Sequence, residues 1–302
     1  MMHNWQLRQK QSLPLEVKVH MTNQRIRSWY EGNEGKVYVS FSGGKDSTVL
    51  LHLVRSIYPK VLAVYFQTPE YPEVMRFIKK IPNLIIVPAV MEPKDIIVKH
   101  GYPVVSKEVS QKIFELRTTK SEKLWGKRMF GDSNKYKSGK IPDKWEFLVG
   151  APFAISHKCC DILKKRPAKR FERETGLRPM LGTMAEESPF RKQSYLRNGC
   201  NAFDVKRPRS TPMAFWTTDD AWSYLRSRNL KYASVYDQGV WGTGCIFCLF
   251  GAHNDGRAGR PNKIQMLHKM HPVLWHYCMR DLGLHPVMEY LDLPTEWMAE
   301  HE

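Results

Sequence analysis

Two sets of residues in this sequence have the types and spacing to do chemistry. The first is Ser42-Gly43-Gly44-Lys45-Asp46-Ser47-Thr48, a glycine pair flanked by hydroxyls and followed at once by a cation and a carboxylate. Glycines let backbone amides approach an anion closely, and a helix that opens there adds its own amides and the positive end of its dipole. Lys45 brings a point charge to phosphate oxygens, and Asp46 an oxygen ligand for magnesium. The second set is thiol: Cys159 and Cys160 are adjacent, and Cys245-Ile246-Phe247-Cys248 is a C-x-x-C far downstream. Four thiolates from two distant segments can close one metal site, and cysteine-only ligation suits an iron–sulfur cluster or zinc. Zinc sites usually take ligands two to four residues apart, whereas a directly adjacent pair fits more readily on the separate irons of a cubane.

The elements that must hold the first set are legible around it. Val37–Phe41 is an apolar run of strand length, the segment after Lys45 has helical apolar spacing, and Tyr58-Pro59 stops it before a second apolar run, Val61–Phe66. Strand, loop, helix and strand make a parallel unit. A helix around Val74 to Lys80 and a third strand at Asn83–Val87 continue the alternation. The expected fold is therefore α/β, a doubly wound and mainly parallel sheet with helices on both faces, its ligand at the carboxyl ends of the strands. Asp46 follows Gly-Lys where a Walker A loop needs Ser or Thr, and no Gly-x-Gly-x-x-Gly occurs.

Composition narrows the partners. Lys and Arg number 47 against 30 Asp and Glu, a net charge of +17 that draws polyanions, so nucleic acid or a nucleotide-rich substrate is the natural partner. No run of eighteen apolar residues and no apolar leader is present, so a cytoplasmic protein without a membrane partner is expected, in which six cysteines point to metal or catalysis. Residues 1–35 read as a polar entry segment with one helix, in which Leu15–Met21 fits more than one element. A basic insertion spans about 107–145, where Lys120, Lys123, Lys127, Arg128, Lys135, Lys137 and Lys140 interleave with Trp125, Phe130 and Tyr136. That pattern suits a nucleic-acid backbone with unstacked bases, and equally a solvated cover. Lys164–Arg170 and Lys206–Arg209 are further basic patches, Thr217–Leu225 opens with a helix cap, and residues 251–302 read as a helical C-terminal extension.

Ser42-Gly43-Gly44-Lys45-Asp46-Ser47 resembles the PP-loop of the ATP pyrophosphatases, the adenine nucleotide alpha hydrolase-like superfamily that cleaves ATP between the α and β phosphates. Together with the cysteines, Gly182–Arg191 and Pro212–Tyr224, it looks like the phosphoadenosine phosphosulfate (PAPS) reductase family, over about residues 36–250. The thiol pattern is similar to adenosine phosphosulfate (APS) reductases and to the cluster-bearing sulfur-transfer protein of DNA phosphorothioation. The resemblance implies a 4Fe-4S cluster on Cys159, Cys160, Cys245 and Cys248, nucleotide on Ser42–Thr48, and substrate contacts from Glu187, Ser188 and Arg191.

Three departures bear on the reaction. The final residues Trp297–Glu302 hold no Glu-Cys-Gly, the nucleophile-bearing tail of assimilatory reductases. The loop has the full Ser-Gly-Gly-Lys-Asp-Ser form of ATP-cleaving members. After the second strand the chain reads Gln67-Thr68-Pro69 where an acidic residue is common, leaving Glu70 or Glu73 to substitute. The expectation is an enzyme that binds ATP with Mg2+, releases pyrophosphate as it adenylates an acceptor on DNA or tRNA, and lets sulfur from the cluster or Cys200 displace AMP. Lys45 and Asp46 are its catalytic candidates, and a cysteine desulfurase or thioredoxin-like protein its donor. Arg191, Lys192 and Arg197 stand close enough in sequence to lower the Cys200 pKa toward a thiolate, a structural cysteine being the equal alternative, while Cys278 reads as a buried small hydrophobe. The alternatives are a PAPS or APS reductase releasing sulfite and a non-catalytic nucleotide sensor.

Overall fold

The computed structural model describes residues 2–132 and 139–298, so Lys135, Tyr136 and Lys137 of the basic stretch lie outside the described residues. The chain divides into two compact units, residues 1–88 with 167–243 and residues 89–166 with 244–302.

In the first unit β1 (Val37–Ser40), β2 (Leu62–Phe66) and β3 (Leu84–Val87) are joined by the helices Lys45–Ile57 and Pro72–Ile78. Three further strands complete the sheet: β1 also pairs with Arg178–Leu181, which pairs with Arg209–Ser210, and Asn201–Ala202 closes the edge antiparallel. All other pairings in it are parallel. The fold class read from the alternation is the one observed, a mainly parallel sheet with helices on both sides. Val37, Tyr38 and Val39 are buried, and the Lys45–Ile57 helix buries Val49, Leu50, Leu53 and Val54. Strand order runs outward from β1 through β2 on one side and through Arg178–Leu181 on the other, so it reverses beside β1. A reversal of order opens a crevice at the strands' carboxyl ends, where the loop Ser42–Gly44 begins.

Residues 1–35 form two helices, Asn4–Gln11 and Leu15–Gly32, where one was expected. The ambiguous Leu15–Met21 is helical, and the helix buries a partly polar stripe at helical spacing, Lys18, Thr22, Ile26 and Trp29. Lys18 donates to both Asp220 oxygens at 2.8 and 2.6 Å, and Thr22 accepts from the Trp216 indole at 2.9 Å.

The second unit is built on β4 (Val104–Val105), which pairs in parallel with Leu249–Phe250. Tyr102 bridges to Ile155 on the other side of the same segment. The helix Lys107–Thr118 buries Val109, Ile113 and Leu116, and Arg117 donates to the carbonyls of Leu148, Val149, Ala151 and Phe153 at 2.7–3.0 Å. The start of the expected 107–145 insertion is therefore structural core of this unit, its apolar face hidden in sequence by the charges between. Residues 251–302 are helical over Lys263–Met270, Pro272–His276 and Leu284–Tyr290, and they belong to this second unit. Among the described residues no helix is long and apolar enough to cross a membrane.

Candidate functional site

The loop of the first unit is held by its own side chains. Ser42 N donates to Ser47 Oγ at 3.2 Å, and Gly44 N to Ser42 Oγ at 3.3 Å. Ser47 Oγ and Thr48 Oγ1 donate back to the Gly44 carbonyl at 2.9 and 3.0 Å, fixing the first turn of the helix. Gly43 has φ +73°, and a Cβ there would lie 2.8 Å from Val74 and Ile78, so conformation and space both require glycine. Lys45 Nζ donates to both Asp46 oxygens at 2.8 and 2.9 Å, a largely buried ion pair at the helix start.

Residues far along the chain complete the loop. Lys45 N donates to the Tyr236 hydroxyl at 3.0 Å, and a Cβ on Gly44 would meet Thr243 Oγ1 at 2.7 Å. Burial pushes the Tyr236 phenol up to about 12, so it stays neutral. Trp222 packs edge-on against the Tyr236 ring at 5.3 Å and braces it. A Cβ on Gly182, just past the strand Arg178–Leu181, would fall 2.8 Å from the Asp46 carbonyl, so strand end and loop abut at the order reversal. Of the two acidic substitutes, Glu70 is buried, accepts from Thr68 Oγ1 at 2.9 Å and its charge is felt at Tyr236. Glu73 instead pairs with Arg76.

The expected substrate residues divide their tasks. Ser188 caps the helix Pro189–Asn198, accepting from Arg191 N at 3.3 Å. Glu187 accepts from Met184 N at 2.6 Å and pairs with the Arg191 side chain. The Arg191 side chain is 43% exposed and feels the charge of the Asp46 carboxylate in the loop.

The cysteines lie together in the second unit, and the backbone explains how. Ser156 N donates to Tyr102 O at 3.0 Å and Leu249 N to Pro103 O at 3.1 Å, so the segments ending at Cys159-Cys160 and starting after Cys248 flank one spine. Cys248 N closes a turn on Cys245 O at 3.1 Å, and a π-helical turn, Asp161–Lys165, follows Cys160 directly. None of the four is in a disulfide. Cys160 is lowered by a hydrogen bond from Cys159 and by Lys164, Lys107 and Lys165; Cys159 is raised by that same hydrogen bond, by burial and by charge at Cys160, Cys248 and Cys245. Burial raises Cys248, with Lys263 opposing. Among the described residues no three His, Cys, Asp or Glu side chains gather tightly enough to hold a single metal ion. Four converging thiols in a lysine-lined setting do match the chemistry of a cubane, which takes four cysteinates at separate irons and carries negative charge.

Cys200 departs from the thiolate reading. It is buried beside the strand Asn201–Ala202, with Sγ 3.9 Å from Pro212 O, and burial pushes it up to about 11, opposed by Arg25 and Lys10 rather than by Arg191, Lys192 or Arg197. It is a thiol at neutral pH because desolvation outweighs the nearby cations. Cys278 is buried and raised to about 12, as a packing residue should be. Tyr236 and Thr243 had no signal in the sequence, since only the fold brings them to Gly44 and Lys45.

With the geometry in place, the relatives can be set beside it. Residues 36–101 and 105–249 match the family model of the phosphoadenosine phosphosulfate reductase domain. The chain belongs to the PAPS reductase family. It is 27% identical over 240 residues to an adenosine 5'-phosphosulfate reductase of Staphylococcus epidermidis, spanning 78% of this chain and 80% of that protein. It is 33% identical over 105 residues to adenosine 5'-phosphosulfate reductase 2 of Bacillus subtilis, spanning 34% of this chain and 43%, less than half, of that relative. Among solved structures it is similar to a U34-tRNA thiolase of Methanococcus maripaludis with its 4Fe-4S cluster, at 14% identity and a TM-score of 0.41, over 91% of this chain and 80% of that one.

Proposed function

We propose that this PAPS reductase family protein cleaves ATP to AMP and pyrophosphate, activating an acceptor on nucleic acid for sulfur transfer. The observation that carries the reading is the complete loop at the strand-order reversal, with Lys45 and Asp46 paired on the first helical turn. Backbone amides of Gly43–Lys45 and the helix start would hold the β and γ phosphates, and Gly182 leaves room beside them. With ATP bound, Lys45 would leave the ion pair for the phosphates, and Asp46 would be the residue to hold a magnesium ion, which supplies charge neutralisation on the phosphate oxygens. An acceptor oxygen forms a bond to the α phosphorus, the bond from that phosphorus to the bridging oxygen breaks, and pyrophosphate leaves with the electron pair. Lys45 offsets the charge that develops on it. The terminal sulfur of a persulfide on a donor such as a cysteine desulfurase then bonds to the acceptor as AMP leaves. A thiol of a thioredoxin-like protein attacks the donor's own sulfur, breaking the S–S bond so that the transferred sulfur stays on the acceptor and the two proteins are left as a mixed disulfide. Cys159, Cys160, Cys245 and Cys248 would hold a 4Fe-4S cluster, which when bound supplies sulfur-ligating or one-electron chemistry. The net charge of +17 supports DNA or tRNA as acceptor.

The Staphylococcus relative favours a second reading, a sulfonucleotide reductase releasing sulfite. It requires a nucleophilic thiol, and the buried Cys200 is poorly suited. The test is pyrophosphate release from ATP by anaerobically purified protein, with and without DNA or tRNA, beside Lys45→Ala and a sulfite assay with PAPS and APS. Nucleic-acid-dependent pyrophosphate lost in the variant supports the proposal, sulfite supports the second reading, and ATP binding with neither product returns a nucleotide sensor.

A further inference from the structure

The helix Glu122–Phe130 in the second unit buries none of its residues. It nevertheless carries Trp125 and Phe130, 45% and 69% exposed, with ring centroids 5.9 Å apart and planes at 70°. Large aromatics left in water gain nothing for folding, so this pair is available to a partner. Between residues 119 and 130 four cations, Lys120, Lys123, Lys127 and Arg128, stand against the single carboxylate Glu122. Gly126, mid-helix beside Trp125, has nothing within 4 Å of a built Cβ. A helical glycine costs about 1 kcal/mol relative to alanine, and among the described residues no neighbour needs the space.

The face is held in place rather than trailing. Ser121 Oγ caps the helix, accepting from Leu124 N at 3.3 Å. Arg128 anchors it to the Lys107–Thr118 helix through Glu115 and also donates to Gly139 O at 3.0 Å, while Ile141 N donates to Arg128 O at 2.8 Å. Lys127 pairs with Asp132, whereas Lys120 and Lys123 are exposed.

We infer that this face binds single-stranded nucleic acid, with unstacked bases on Trp125 and Phe130 and the phosphate backbone along Lys120 and Lys123. Charge decides the sign of the partner and exposed rings decide its form, because a duplex keeps its base faces covered. The open backbone at Gly126 lets the strand lie close. The inference gives the nucleic-acid acceptor proposed above a physical seat and rests on that reading only to that extent.

The experiment measures binding of labelled single strands of about 20 nucleotides, one DNA and one RNA, and of a duplex, by fluorescence anisotropy of the full chain without ATP. Both single strands, or one of them, bind more tightly than duplex. Trp125→Ala with Phe130→Ala weakens the single strand about tenfold per ring, and Trp125→Phe recovers most of the loss. Lys120→Gln with Lys123→Gln lowers the salt slope measured between about 50 and about 200 mM by more than one. Because neither ring is buried, the melting temperature of the double aromatic variant matches the parent. Unchanged affinity in that variant, equal binding of duplex, or no strand binding at the lower salt overturns the inference. Pyrophosphate release, assayed separately on the same protein, reports whether the catalytic reading has failed instead.

Discussion

The phosphate loop and the cysteine quartet place their chemistry by different means. Seven consecutive residues, Ser42 to Thr48, make nearly all of the loop, and its hydrogen bonds run between Ser42, Gly44, Ser47 and Thr48 themselves. The thiols come from two segments that meet only because Tyr102–Val105 bonds Ile155 on one side and Leu249–Phe250 on the other. A contiguous motif folds with its own helix start. A divided one depends on a whole unit being assembled, so its chemistry is only as secure as that packing.

The largest expected effect separates the two. Lys45→Ala should cut pyrophosphate release by about 10^2–10^3, the range for removing one preorganised charge-stabilising donor, with the iron content of anaerobically purified protein unchanged. Cys160→Ser should do the reverse, losing iron and visible absorbance while ATP still binds. If Cys160→Ser abolishes ATP binding, the two regions are not the separate devices described above.

Next is thiol reactivity in metal-free protein. With Cys160 lowered by Cys159 and three lysines, and Cys200 raised to about 11 by burial, iodoacetamide at about pH 8 should label Cys160 first. Cys200 would be only about one part in a thousand ionised there. Early labelling of Cys200, read by peptide mass spectrometry, would restore it as a nucleophile.

These contrasts track what was legible beforehand. Strand, loop and helix around Lys45 were readable because a continuous apolar run of strand length, a glycine pair and a 3.6-residue pattern follow one another without interruption. Leu15–Met21 was ambiguous because its inward stripe includes Lys18 and Thr22, whose partners Asp220 and Trp216 lie far along the chain. The Lys107–Thr118 helix was masked by charge, although Val109, Ile113 and Leu116 share its buried face. Sequence left both readings of Cys200 open because cations close along the chain are visible there and burial is not. The family resemblance named the quartet, but spacing alone could not reveal the Tyr102–Val105 spine.

A smaller effect probes how closely strand end and loop fit. Gly182→Ala would set its Cβ 2.8 Å from the Asp46 carbonyl and 3.1 Å from Ser47 Cα, backbone atoms that cannot swing aside. Displacing the first helical turn should cost about 1–3 kcal/mol, seen as at least about a fivefold loss of ATP affinity by calorimetry, with iron content unchanged. Full affinity would mean that the loop tolerates movement and that its hydrogen bonds alone define it.

The smallest effect concerns Tyr236, and its sign carries the information. In the structure the phenol oxygen accepts the Lys45 amide, the position a phosphate oxygen would take when nucleotide binds. Tyr236→Phe leaves that amide without this acceptor in the free protein, raising the free state by about 0.5–1.5 kcal/mol, while a bound phosphate would still satisfy it. ATP should therefore bind about two- to tenfold more tightly to the variant, an inversion of the usual cost of losing a polar group. Weaker binding would show that the hydroxyl contacts the nucleotide itself, making Tyr236 a residue of the bound complex rather than a stand-in for its phosphate. Either sign would show how a residue distant in sequence takes part in a loop that is otherwise local.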